Sequence, residues 1–152
     1  MAAAMIAVIV YPVFAPNHRH PTKTCTSRLR PLASAAFAYA EDHDDRLPNS
    51  SRWCDSVANY VRGGQAFQCP GSLSPYGFAM HDSLSSAHRA KLPEPEKRAF
   101  LFDSSAMVRN AHGDESLLPN PGRHRGRNYV AYADGHTRTL PSPRPTASGD
   151  SR

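Results

Sequence analysis

The sequence predicts an α+β fold in which an amphipathic helix packs on a small antiparallel sheet. Three observations carry that reading. Between Thr24 and His43, apolar residues recur at Cys25, Leu29, Leu32, Ala36 and Tyr39, in steps of four, three, four and three, which is one helical stripe. Arg98–Asp103 (RAFLFD) is a short apolar run of the kind that lies centrally in a sheet. Asn128–Ala133 and His136–Leu140 flank Asp134-Gly135, two residues that tolerate the positive φ angles of a tight two-residue turn, so the pair reads as a hairpin.

The chain of 152 residues, 39% of them hydrophobic, provides for one small domain with tails. Fourteen prolines and nine glycines against six phenylalanines and one tryptophan predict a loop-rich fold with a modest core. The net charge of +5 comes from arginines spread along the chain rather than a basic run interleaved with aromatics, which argues against nucleic acid as a partner. Three cysteines allow one disulfide in an oxidising compartment.

Taken in order, Met1–Ala15 carries no charge. As a helix it would span about 22 Å, short of the ~30 Å hydrocarbon core, and it lacks the basic start of a secretory signal. It reads as the second half of a membrane helix. The basic stretch Asn17–Lys23 suits a membrane surface; its His18-x-His20 pair lacks a partner metal ligand nearby. The Thr24–His43 helix follows, with Ala33, Ala35, Phe37 and Ala40 widening its stripe and Pro31 predicting a kink or a fresh helical start. It ends in Glu41, Asp42, Asp44 and Asp45, carboxylates that oppose the helix dipole at about a few tenths of a kcal/mol each. Such a conflict has a compensating partner or is a solvated turn. The expected partners are Arg123 and His124 of the basic loop Arg123–Arg127, lying against Asp42 and Asp44.

Ser50 or Ser51 is the expected cap of a second helix, Arg52–Arg62, with Trp53, Val57, Tyr60 and Val61 inward and Gly63-Gly64 as its stop. Cys54 and Cys69 would close a loop of about fifteen residues, worth about 3 kcal/mol if bridged; Cys25 with Cys69 is the rival pairing. The cysteines lack the paired spacing of a zinc site. Ser72–Pro95 reads as loop, with Tyr76-Gly77-Phe78 a short extended piece. Ser85, His88 and Asp103 are the residue types of a hydrolytic triad, but no Gly-x-Ser-x-Gly elbow presents the serine. Ala106–Val108 is a candidate edge strand. The Pro- and Ser-rich segment after Leu140 reads as a disordered tail.

His124 is followed by nine residues and then Asp134-Gly135. This spacing near the C-terminus resembles the prepilin-type processing-associated H-X9-DG domain of bacterial pilin-like proteins. Other landmarks agree in order: Tyr11-Pro-Val-Phe-Ala15, then Cys25, Ser27, Leu29, Tyr39-Ala40, Asp42, Asp44 and Leu47-Pro48. A Trp53-led helix before Phe67-x-Cys69-Pro70 and the Pro93-x-Pro95 element complete them. The cleavage glycine and the following glutamate of the family leader are absent, and Pro31 replaces a usual polar residue. The resemblance implies a hydrophobic N-terminal helix (1–16) continuing into a pilin-like head (17–140), with a tail at 141–152. It implies an inner-membrane anchor with the head outside the cytoplasm, other pilin-like subunits as partners through the N-terminal helix, and a structural or assembly role in type II secretion or a type IV pilus-like system. On this reading the protein is neither an enzyme nor a cofactor binder, and His124, Asp134 and Gly135 form a structural motif.

Two rivals come from other classes. A metal-dependent hydrolase would draw on His124, Asp134, His136 and the Asp42–Asp45 carboxylates. A module binding cell-surface polymer would need an aromatic platform, and Trp53 stands alone in the sequence.

Overall fold

The computed structural model describes residues 26–63 and 65–142. The predicted membrane helix, the His18/His20 pair, Cys25 and the tail from residue 143 fall outside the described residues. Among those described, no helix is long and apolar enough to cross a membrane.

Helix α1 is Thr26–Glu41. Its stripe is buried as expected: Leu29, Leu32, Ala33, Ala36 and Ala40 are all fully covered. Pro31 does not start a new helix, because it lies on the exposed side of one that runs through it. The small residues of the stripe let α1 approach the sheet closely, and Phe37 stacks on Phe100 with ring centroids 5.7 Å apart. The second predicted helix is broken into a single turn at Ser50–Arg52, helix α2 at Trp53–Val57 and another turn at Ala58–Tyr60. Its cap is Asn49, whose side chain accepts from Ser51 N, not a serine. Tertiary contacts hold this segment. Trp53 Nε1 donates to Ala111 O at 2.9 Å, and Asn110 Oδ1 accepts from Cys54 N at 2.8 Å.

The sheet has five strands: β1 Phe78–His81, β2 Ala99–Asp103, β3 His112–Gly113, β4 Arg127–Tyr132 and β5 Thr137–Pro141. Their order is β3-β1-β2-β4-β5, antiparallel except for the parallel β1–β3 pair. The predicted central strand therefore occupies the centre. The edge strand is His112–Gly113 rather than Ala106–Val108; Met107 and Val108 are exposed. Strand β5 runs to Pro141, and Ser142 N donates to Gly126 O, so both residues belong to the domain and not to a tail.

Both faces of the sheet are covered. Phe78, Met80, Phe100, Leu101 and Ala131 pack with α1 and α2. Ala79, Phe102, Val130 and Leu118 form a smaller core under the loops of the other face. A register shift between Ala99 and Leu101 turns two successive residues, Phe100 and Leu101, toward the helices.

The β4–β5 connection differs from the expected two-residue turn. Gly135 N and Tyr132 O, and Tyr132 N and His136 O, each pair at 2.9 Å, which defines a three-residue loop, Ala133–Gly135. Gly135 has φ +92 and supplies the left-handed residue that closes such a loop. A tight two-residue turn does occur, one strand earlier. His124 and Arg127 exchange backbone hydrogen bonds at 3.0 and 3.3 Å around Arg125 and Gly126, with φ +55 and +77.

Candidate functional site

Four segments meet at the beginning of β4. Strand β2 delivers Asp103, fully buried, at its C-terminal end. The antiparallel pairing brings the start of β4 alongside, so Tyr129 N donates to Asp103 Oδ2 at 2.7 Å. The Arg125–Gly126 turn folds the preceding residues back over this corner. His124 Nε2 then lies 3.5 Å from Asp103 Oδ2 and 3.3 Å from Cys69 Sγ, with its ring 4.9 Å from that of Tyr129. Its side chain is only 16% exposed. Arg123 reaches the same corner, donating to Gly77 O at 3.2 Å and Ser104 O at 2.6 Å.

A buried carboxylate costs several kcal/mol unless charge and hydrogen bonds compensate it. Asp103 receives the Tyr129 amide, the imidazole edge and the field of Arg123. Burial pulls the Arg123 pKa down and the Asp103 charge partly restores it. Asp103 Oδ1 has no hydrogen-bond partner. Glycines permit this crowding: a Cβ on Gly77 would stand 2.6 Å from Cys69 Cβ, and one on Gly71 would stand 3.1 Å from His124 Cε1.

Asp134 and Gly135 sit at the other end of β4. Asp134 Oδ1 accepts from His136 N at 3.0 Å and lies 2.6 Å from His136 Nδ1. A Cβ on Gly135 would meet Phe37 Cε2 of α1 at 3.3 Å. The motif residues are thus divided between the two ends of one strand. The ligand set proposed for a hydrolase is not assembled, because the six residues of β4, about 20 Å, separate His124 from Asp134 and His136. Nor is the Ser85–His88–Asp103 triad: Ser85 Oγ accepts from Ser50 N, and His88 Nδ1 lies 3.1 Å from Asp45 Oδ2. Trp53 is core and offers no platform for a polymer.

Two further expectations are corrected. Arg123 and His124 do not touch the acidic end of α1, since they are occupied at Asp103, Gly77 and Ser104. The compensating partner comes from the Ser-rich loop: Arg89 Nε donates to Asp45 Oδ1 at 3.0 Å and Ala90 N to Oδ2 at 2.6 Å. The Ala90 amide holds the Asp45 carboxyl below the usual range; burial opposes it, and Arg89 and then His88 add to the lowering. Asp42 accepts from Tyr60 Oη at 2.8 Å, which raises the Tyr60 pKa. The disulfide is not Cys54–Cys69. Cys69 is disulfide-bonded, and Cys54 is a free, buried thiol whose pKa burial pushes up to about 12; the rival pairing with Cys25 falls outside the described residues.

The described residues line at least two surface concavities. An open cavity of about 710 Å³ lies beside the end of α1, lined by polar residues of both signs including Asp42, His43, Arg46 and Arg52. A smaller one, about 350 Å³, carries two histidine–carboxylate pairs, His112 with Asp82 at 2.8 Å and His81 with Glu115 at 3.3 Å. The sequence reading passed over this second pair of contacts because the four residues come from separate loops with no local spacing. The chain matches no family model, no curated protein and no solved structure.

Proposed function

We propose that this chain is a non-enzymatic, pilin-like envelope protein whose head carries a structural or assembly role in a type II secretion or type IV pilus-like system. One observation supports it above the others: the H-X9-DG residues are consumed in holding the sheet together and against α1. His124 packs on Asp103 and Tyr129, and Gly135 leaves room for Phe37, which a Cβ there would crowd at 3.3 Å. A disulfide at Cys69 suits an oxidising compartment. On this reading the apolar run Met1–Ala15, which precedes α1 in sequence, supplies membrane retention and the contact with other pilin-like subunits.

The test is fractionation of native host cells followed by intact-mass measurement. Recovery in the envelope fraction, resistant to carbonate washing and cross-linkable to pilin-like subunits, is the expected result; the mass then gives the processed N-terminus. Quantitative recovery in the soluble fraction, with no cross-linked partner, would overturn the proposal.

A further inference from the structure

Three residues converge at the start of β4, Cys69, His124 and Asp103, each offering one potential ligand atom within 4.8 Å of the others. Their arrangement differs from a catalytic relay, in which the two ring nitrogens of histidine face opposite partners. Here one nitrogen, Nε2, faces both the sulfur at 3.3 Å and the carboxylate at 3.5 Å. That is how ligands sit around a common centre. Zinc–donor bonds of about 2.0–2.3 Å at tetrahedral angles place neighbouring donors roughly 3.3–3.6 Å apart. Asp103 is fully buried, its Oδ2 accepts from Tyr129 N at 2.7 Å, and its Oδ1 has no hydrogen-bond partner among the described residues.

In the disulfide form the sulfur is not a thiolate and is a poor ligand. We propose that reduction of the Cys69 disulfide converts this corner into a binding site for a borderline-soft divalent cation of the zinc type. Cys69 thiolate, His124 Nε2 and Asp103 Oδ2 are three of its ligands, and the fourth position is open to water. The chemistry balances with a phosphine as reductant. It gives two electrons to the S–S bond, the sulfurs take up two protons from water, and the oxygen of that water leaves on the phosphine oxide. On binding, the metal displaces the Cys69 thiol proton to buffer, while histidine binds as the neutral ring and aspartate as the carboxylate. The inference concerns the reduced protein, whereas the envelope reading concerns the disulfide form, in which this corner is structural.

The experiment uses cobalt(II) as the probe, added to the full-length chain before and after phosphine reduction. A Cys54→Ala background removes the buried thiol as a source of signal. The expected result is a sulfur-to-cobalt charge-transfer band that appears only after reduction, saturates at one cobalt per chain and disappears on adding zinc. Asp103→Asn and His124→Gln should each weaken binding about tenfold or more, with Trp53 emission reporting that the fold persists. The absence of a band after reduction, an equal band in the oxidised protein, or undiminished affinity in folded Asp103→Asn would overturn the proposal. Should neither variant fold, the comparison of oxidised with reduced parent protein decides it.

Discussion

Replacing Gly135 by alanine tests whether the glycine of the H-X9-DG pattern is a packing and backbone requirement. Its φ of +92 lies where an L side chain is strained, at about 1–2 kcal/mol. The new Cβ would also stand 3.3 Å from Phe37 Cε2. Phe37 cannot retreat freely, because it stacks on Phe100 and has the Arg89 guanidinium 5.4 Å above its ring. Overpacking of this kind costs about 1 kcal/mol or more. The expected loss is therefore about 2–3 kcal/mol. With a urea m-value of roughly 1–2 kcal/mol/M, the midpoint should fall by about 1–3 M at unchanged m. Trp53, the only tryptophan and fully buried, provides the fluorescence signal for the titration. A companion variant, Gly135→Ala with Phe37→Leu, should show a smaller combined loss than the sum of its parts, since the shorter side chain makes room for the methyl. A Gly135→Ala loss below about 0.5 kcal/mol would refute the reasoning, as would strict additivity with Phe37→Leu.

Three other outcomes are expected. Trp53→Phe removes the bond to Ala111 O between α2 and the chain at β3; it should cost about 1–3 kcal/mol, read by circular dichroism in urea. Alkylation without reductant should leave native protein unmodified and add one label per unfolded chain, at Cys54; three labels would mean that the disulfide at Cys69 is not formed. The pKa values of Asp45, Asp55 and Asp82 are held below the ordinary carboxylate value, first by the Ala90 amide, the Asn110 side chain and the Ser50 hydroxyl respectively. A lowered folded-state pKa stabilises above the unfolded value, near pH 4, and that contribution is lost as pH falls through the lower folded value. Tm should accordingly drop below about pH 4, and more shallowly in Asp45→Asn. Equal Tm at pH 3 and pH 6 would contradict this.

What was legible in the sequence follows from how local the physical cause is. Helix α1 and strand β2 are readable because their burial is periodic or continuous along the chain, and both lie close to where the pattern puts them. The hairpin is readable from Asp134-Gly135, yet not its loop length, which the Tyr132–His136 and Gly135–Tyr132 backbone bonds define. The second helix looks continuous by pattern, but Trp53 and Asn110 bind it to the loop before β3, and only α2 keeps α-helical geometry. Strand β1 is hidden by the glycine and proline around it, and β3 is two residues long, too short for any periodicity. The most basic loop of the sequence, Arg123–Arg127, is not the partner of Asp45. That partner lies in a Ser-rich segment whose register to α1 no local spacing reveals.

The nine-residue spacing has a physical measure. Between His124 and Asp134 the chain must make the Arg125–Gly126 turn, run the six residues of β4 and begin the next loop. The spacing therefore equals one strand with a turn at its start. At the first end His124 meets Asp103, the last residue of the neighbouring strand; at the second, Gly135 meets Phe37 of the helix. One end ties β4 to the sheet and the other ties it to α1. A change in strand length by one residue would move one of these contacts to the opposite face, because side chains alternate along a strand. An insertion within Tyr129–Ala131 should therefore break the His124–Asp103 contact or the Gly135–Phe37 contact, whereas one in the loop Ser72–Ser74 should leave both intact. Equal loss of stability for the two insertions would show that the spacing has no such role.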